Sequence, residues 1–103
     1  MVLFRRVQGA SMHPTLPHGK LVVALRFKKP RVGDVVVVKH HRVEVLKRIH
    51  EIKGELMYLL GDNPAESTDS RQYGWLPLSA VVGTVLGVKQ GESSQGNSSA
   101  QAE

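Results

Sequence analysis

Short apolar runs alternate with glycine- and proline-rich breaks along the chain, and no stretch carries the long 3.6-residue period of an amphipathic helix. Leu21 to Arg26 reads as a strand, and Asp34 to Lys39 as a second, with four consecutive valines at 35–38. A β-branched run of that kind suits a strand covered on both faces. Arg42 to Ile52 and Glu55 to Leu60 read as a hairpin turning at Lys53-Gly54. Ala80 to Lys89 reads as a last strand, with Gly83 and Gly87 as bulge or close-approach positions. Helix is confined to single turns near Ser11 and from Pro77 to Ala80. The pattern predicts a mainly β fold, a small barrel or sandwich. From Gly91 the sequence GESSQGNSSAQAE is too polar to order itself, so residues 1–90 are expected to form the domain and 91–103 a disordered tail.

Composition narrows the function classes. A chain of 103 residues is one domain with a modest core, and the absence of cysteine excludes disulfides, thiolate zinc sites and cysteine nucleophiles. No apolar run approaches the ~20 residues of a membrane helix. Arg5 and Arg6 are not followed by the apolar core of a secretory signal. These features lead to the expectation of a cytoplasmic protein, or one peripheral to a membrane, without an anchor of its own. The net charge of +5 suits nucleic acid, an anionic membrane surface or acidic partners. No aromatic side chains alternate with the bases as stacking platforms, so nucleic acid is not expected. A non-catalytic basic β-barrel is the rival class; its binding would fall steeply with salt, and Ser11 and Lys47 would be dispensable to it.

Three features carry candidate chemistry. The segment Gly61 to Arg71, GDNPAESTDSR, packs three carboxylates, a guanidinium, three hydroxyls, a glycine and a proline between apolar Leu56–Leu60 and aromatic Tyr73–Trp75. A polar connection with Asx turns has this composition, and so does a loop that fixes a reactive side chain. Ser11 follows the small pair Gly9-Ala10 and precedes Pro14, which leaves room for a substrate carbonyl beside a turn amide. A serine here also reads as a helix N-cap. Strand alternation places Lys47 in one row with Val43, Val45 and Ile49, with Glu44, Leu46, Arg48 and His50 on the other face. Such a lysine either snorkels to water or is desolvated. Lowering its pKa from ~10.4 to ~7–8 takes about 4 kcal/mol, heavy against a stability of ~5–15 kcal/mol unless the neutral amine is used. A neutral lysine can take the proton of a serine hydroxyl. A Ser-His-Asp triad through His13, His18, His40, His41 or His50 is weaker, since nothing selects one histidine. His40-His41 as metal ligands is weaker again, because adjacent strand residues point to opposite faces.

SMHPTL at Ser11–Leu16, VGDVVVVK at Val32–Lys39, Lys47-Arg48 and GDNPAESTDSRQYGWLP at Gly61–Pro77 occur in this order. Together they resemble the successive boxes of the signal peptidase I family of serine–lysine endopeptidases, over roughly Val7 to Val88. The resemblance implies a small barrel of coiled antiparallel sheets with short helical turns. It implies Ser11 as the acylating serine, Lys47 as general base and Ser67 as the hydroxyl that orients the lysine. Asp69 and Arg71 match the ion pair bracing the site, and Gly61 and Asp62 the turn beside the lysine. The Ser11 N–H would be one oxyanion donor. No cofactor is implied, and the partner is a precursor protein or its leader peptide. Met12, Leu16 and Val22 are candidates for the substrate pocket, and Met12, Leu16, Trp75 and Leu76 for an exposed apolar rim touching lipid or leader. Three departures stand out: Gly9 where many bacterial members have a serine donor, no large insertion after the lysine box, and no membrane anchor. In these the chain resembles the compact nickel-type superoxide dismutase maturation proteases, whose implied role is to trim a leader from the dismutase. General signal peptide removal is the alternative; a self-cleaving repressor-type serine–lysine protease shares the chemistry, but no separate DNA-binding domain is expected here and GDNPAESTDSR resembles that group less.

Overall fold

The computed structural model describes residues 1–88; the expected tail at 91–103 lies outside them. Seven strands form one antiparallel sheet: β1 (Val2–Arg6), β2 (Leu21–Leu25), β3 (Val35–His40), β4 (Val43–Lys53), β5 (Leu56–Leu60), β6 (Leu76–Pro77) and β7 (Val81–Val85). Their spatial order is β1-β2-β7-β3-β4-β5-β6, so the valine strand β3 lies at the centre.

Alternation along β3 explains why it needs four valines. Val35 and Val37 join Val7, Met12, Leu16, Val22, Ala24 and Val85 in one apolar cluster. Val36 and Val38 point the other way, into a second cluster with Ile49, Met57 and Leu59. Each side chain is at most 1 % exposed, as a strand sandwiched between two cores requires.

The expected strands and the β4–β5 hairpin are present, with ends displaced by a residue or so. The last strand stops at Val85, because Leu86 to Val88 bend away and Gly87 takes φ 75°. Gly83 is a close-approach position: a β-carbon there would lie 3.1 Å from the Ala24 methyl and 3.2 Å from Leu3 Cδ1. The adjoining β3–β7 pairing shifts register between Val37 and Val38.

Three elements depart from the expectation. β1 is an added edge strand, paired with β2 from Val2↔Leu25 to Arg6↔Leu21. β6 is a two-residue strand against the start of β5. The polar eleven-mer contains a 3-10 turn at Pro64–Glu66 and runs at its end into helix α1 at Ser70–Tyr73. A capping box starts α1: the Asp69 carboxylate accepts from the helix backbone, while Gln72 Oε1 accepts the Asp69 N–H at 2.9 Å. At Ser11 the chain makes a hydrogen-bonded turn, with Leu16 N–H donating to the Met12 carbonyl at 2.9 Å, and no assigned helix.

Candidate active site

β4 runs past β5 at its beginning. Residues 43–48 pair with β3, but pairing with β5 begins only at Arg48, so the first half of β4 has one edge without a strand partner among the described residues. The chain leaving β1 runs opposite that edge. Between them lies a cleft of about 360 Å³, lined by residues 5–12 on one side and 43–47 on the other, with Glu66 and Thr68. Ser11 and Lys47 both line it.

Lys47 is 4 % exposed. Burial lowers its pKa; the Asp69 charge works against that shift, and Arg71 works with it. Lys47 Nζ donates to Ser67 Oγ at 3.1 Å, and the Ser67 hydroxyl donates to Asp69 Oδ2 at 2.8 Å. Asp69 is fully buried and accepts further from Arg71 Nε and Nη2, both at 2.9 Å, and from the Gly61 N–H at 2.8 Å. Burial alone would raise the Asp69 carboxyl. The hydrogen bonds from Arg71, Gly61 and Ser67 outweigh it and hold the group well below the usual carboxylate range. An ionised Asp69 can only accept, so the Ser67 proton faces it and the Ser67 lone pairs face Lys47. That fixes one Lys47 N–H on Ser67 and leaves the rest of the amine to the cleft.

The eleven-mer also grips the turn that carries Ser11. Asn63 N–H donates to the Ser11 carbonyl at 2.8 Å, and Asn63 Nδ2 to the Ala10 carbonyl at 3.0 Å. Gly61 lies beneath both halves: a β-carbon there would be 2.2 Å from Ser67 Oγ and 2.7 Å from the Ser11 carbonyl oxygen. Only glycine allows that approach. Among the described residues the Ser11 N–H and hydroxyl make no hydrogen bond, and none joins Ser11 to Lys47. Ser11 and Lys47 thus share one cleft without bonding to each other.

Asp62 turns elsewhere. It pairs with Arg48 through Nε (2.9 Å) and Nη2 (2.7 Å) and accepts from Thr15 Oγ1 at 2.6 Å. Arg48 Nη1 reaches the Gly33 carbonyl. Adjacent residues on β4 thus serve two of the loop's three carboxylates, Lys47 through Ser67 to Asp69 and Arg48 directly to Asp62. The sequence gives Arg48, Thr15 and Asn63 no role of their own. The alternation that set Arg48 opposite Lys47 was visible, but its partner 14 residues away was not. Ser70 is a further brace, its hydroxyl accepting the buried Leu59 N–H at 2.8 Å.

The pocket and rim residues need correction. Met12 lines the cleft but is 1 % exposed; Leu16, carried in by the turn after Ser11, and Val22, turned in by alternation along β2, are core side chains outside the cleft wall. Buried Met12 and Leu16 cannot form an exposed rim. Trp75 is half-buried edge-on to Tyr58 (5.2 Å between rings), and Leu76 packs on the second core. The exposed large apolar side chains include Val2, Phe4, Leu21 and Phe27. None of the five histidines lines the cleft. His18 Nδ1 accepts the Gly9 N–H. His40 and His41 do not point apart as consecutive strand residues would: His41 has left the strand at φ 50°, and the rings lie 4.0 Å apart.

Comparison with known proteins bears on this cleft. The Peptidase S24-like family model matches residues 1–74, which span both cleft walls and the eleven-mer. The chain belongs to the peptidase S24-like family. Mitochondrial inner membrane protease subunit 1 of Schizosaccharomyces pombe is 34% identical to it, over 76% of this chain and 67% of the relative. Both matches agree with the resemblance to signal peptidase I, and the protein is a signal-peptidase-I-like peptidase.

Proposed function

We infer that the chain is a serine endopeptidase working through a Ser11–Lys47 dyad. The observation that carries this reading is the buried Lys47, held by Ser67 and Asp69 in the cleft that Ser11 lines. Neutral Lys47 takes the Ser11 proton as Ser11 Oγ adds to the scissile carbonyl carbon. The oxyanion is received by the Ser11 N–H, which has no partner among the described residues, and with Gly9 in place of a serine a water supplies the second donor. The Lys47 ammonium then protonates the departing amine as the C–N bond breaks, leaving an ester on Ser11. Water, deprotonated by Lys47, adds to that ester, and the Lys47 ammonium returns the proton to Ser11 Oγ as the ester C–O bond breaks, releasing the acid and restoring the neutral amine. Asp69 and Arg71 stay ionised throughout and hold Ser67, a positioning residue.

The substrate is a precursor whose N-terminal leader lies extended between the two strand edges, its backbone groups pairing as an added strand. A nickel superoxide dismutase precursor fits the compact architecture best, with secretory signal peptides as the alternative. The test is incubation with leader peptides of both kinds, the cut located by mass. Ser11→Ala and Lys47→Met are expected to lower cleavage by at least about 10³-fold without unfolding the protein. Cleavage by Ser11→Ala at the parent rate would overturn the assignment.

A further inference from the structure

Beyond the dyad, the cleft ends in a feature that a general peptide groove does not need. Arg5 on β1 and Glu44 on β4 join across it, Arg5 Nε to Glu44 Oε1 at 2.5 Å and Arg5 Nη2 to Glu44 Oε2 at 3.2 Å. Both project from the core-facing side of their strands. Leu3 and Val7 flank Arg5 in its alternating row, and Leu46 follows Glu44 in the other; all three pack on the first core. Where an apolar floor would continue, an ion pair about one third exposed closes the end.

Resting on the peptidase reading, we propose that Arg5 and Glu44 form a polar subsite that selects a carboxamide side chain, Asn or Gln, on the substrate. Glu44 precedes Lys47 by three residues on one strand, about 10 Å at the usual rise. An extended peptide therefore brings to the pair the side chain about three residues from the bond cut. Arg5 spends one N–H each from Nε and Nη2 on Glu44 and one from Nη1 on the Phe4 carbonyl at 2.9 Å. A guanidinium has five, so two remain to donate, while the Glu44 oxygens retain lone pairs to accept. A carboxamide offers an acceptor to the first and a donor to the second. An aliphatic side chain would strip water from the pair and return no hydrogen bond. A carboxylate would meet Glu44, and an ammonium would meet Arg5.

The experiment takes a leader peptide that the protein cuts and places Gln, Leu, Glu or Lys in turn at each of the four positions on either side of the cut. The parent protein is expected to favour Gln over Leu about tenfold in kcat/KM at one position about three residues away. Arg5→Met with Glu44→Met is expected to reverse that order in favour of Leu, and the exchange Arg5→Glu with Glu44→Arg to restore Gln. If the double methionine variant slows every peptide alike, the pair merely ties the walls together and the subsite is wrong. If the parent shows no preference at any position, the subsite is wrong too, although the peptidase stands. Cutting that survives Ser11→Ala, or no cutting of any peptide, would bring down the peptidase reading and the subsite together.

Discussion

Lys47 is a residue the fold would be more stable without. A buried amine has lost its hydration, and its recorded side-chain bond is to a neutral hydroxyl, so its charged form is disfavoured. Lys47→Met should raise the unfolding free energy at pH 7 by about 1–2 kcal/mol while abolishing cleavage. The sign follows from linkage: between the lowered native pKa and the ordinary value of 10.5 the unfolded chain binds the extra proton, so parent stability rises with pH there and the advantage of the methionine shrinks. Cleavage should rise with pH through the same native pKa, and a flat profile between about pH 6 and 9, with chemistry rate-limiting, would count against the buried base. Asp69 has the opposite sign. Its lowered pKa adds stability that is present above the ordinary 3.8 and is lost as pH falls below it towards the native value. Urea midpoints should therefore drop on acidification below about pH 4, and Asp69→Asn should flatten that drop. These two residues were legible early, Lys47 from its place in an apolar row and Asp69 through the resemblance of its loop. Arg5 was not, since a basic residue near the start of the chain gives no sign of a partner 39 residues away.

At the scale of elements, the tight connection between β3 and β4 is the strained one. His40 pairs with Val43, leaving His41 and Arg42 as a two-residue turn at φ 50° and 67°. Such turns favour Asn-Gly, because side chains with a β-carbon resist positive φ. Replacing His41-Arg42 by Asn-Gly should raise stability by about 1 kcal/mol in urea unfolding, with cleavage unchanged if the dyad reading holds. The central strands could be read from sequence because hydrophobic alternation and β-branching are local signals. β1 escaped because the inner position between Leu3 and Val7 is held by Arg5, which breaks the apolar row at the residue that crosses the cleft. α1 escaped because Asp69 and Gln72, its capping pair, lie among so many other polar residues that the box does not stand out. β6 is too short to carry a period at all.

For the whole molecule, the arrangement assigns strength and chemistry to different regions. Two apolar clusters grip β3 from its two faces, and the proposed dyad sits at the flank of β4 that has no strand partner among the described residues. One cleft wall follows the edge strand β1 and the other is β4, with β2, β7 and β3 between them in the sheet; Arg5 and Glu44 join the walls directly, and Asn63 of the eleven-mer holds the Ser11 carbonyl. Gly61 stands between Ser67 and the Ser11 carbonyl, and it acts as a feeler gauge with the thickness of a bare α-carbon. On the dyad reading, Gly61→Ala should blunt the chemistry and weaken the fold in one stroke, by more than about 100-fold in cleavage and about 2–3 kcal/mol in urea unfolding, because the added methyl pushes at once on the Ser67 hydroxyl beside Lys47 and on the Ser11 carbonyl. A single missing carbon sets the working clearance of the machine.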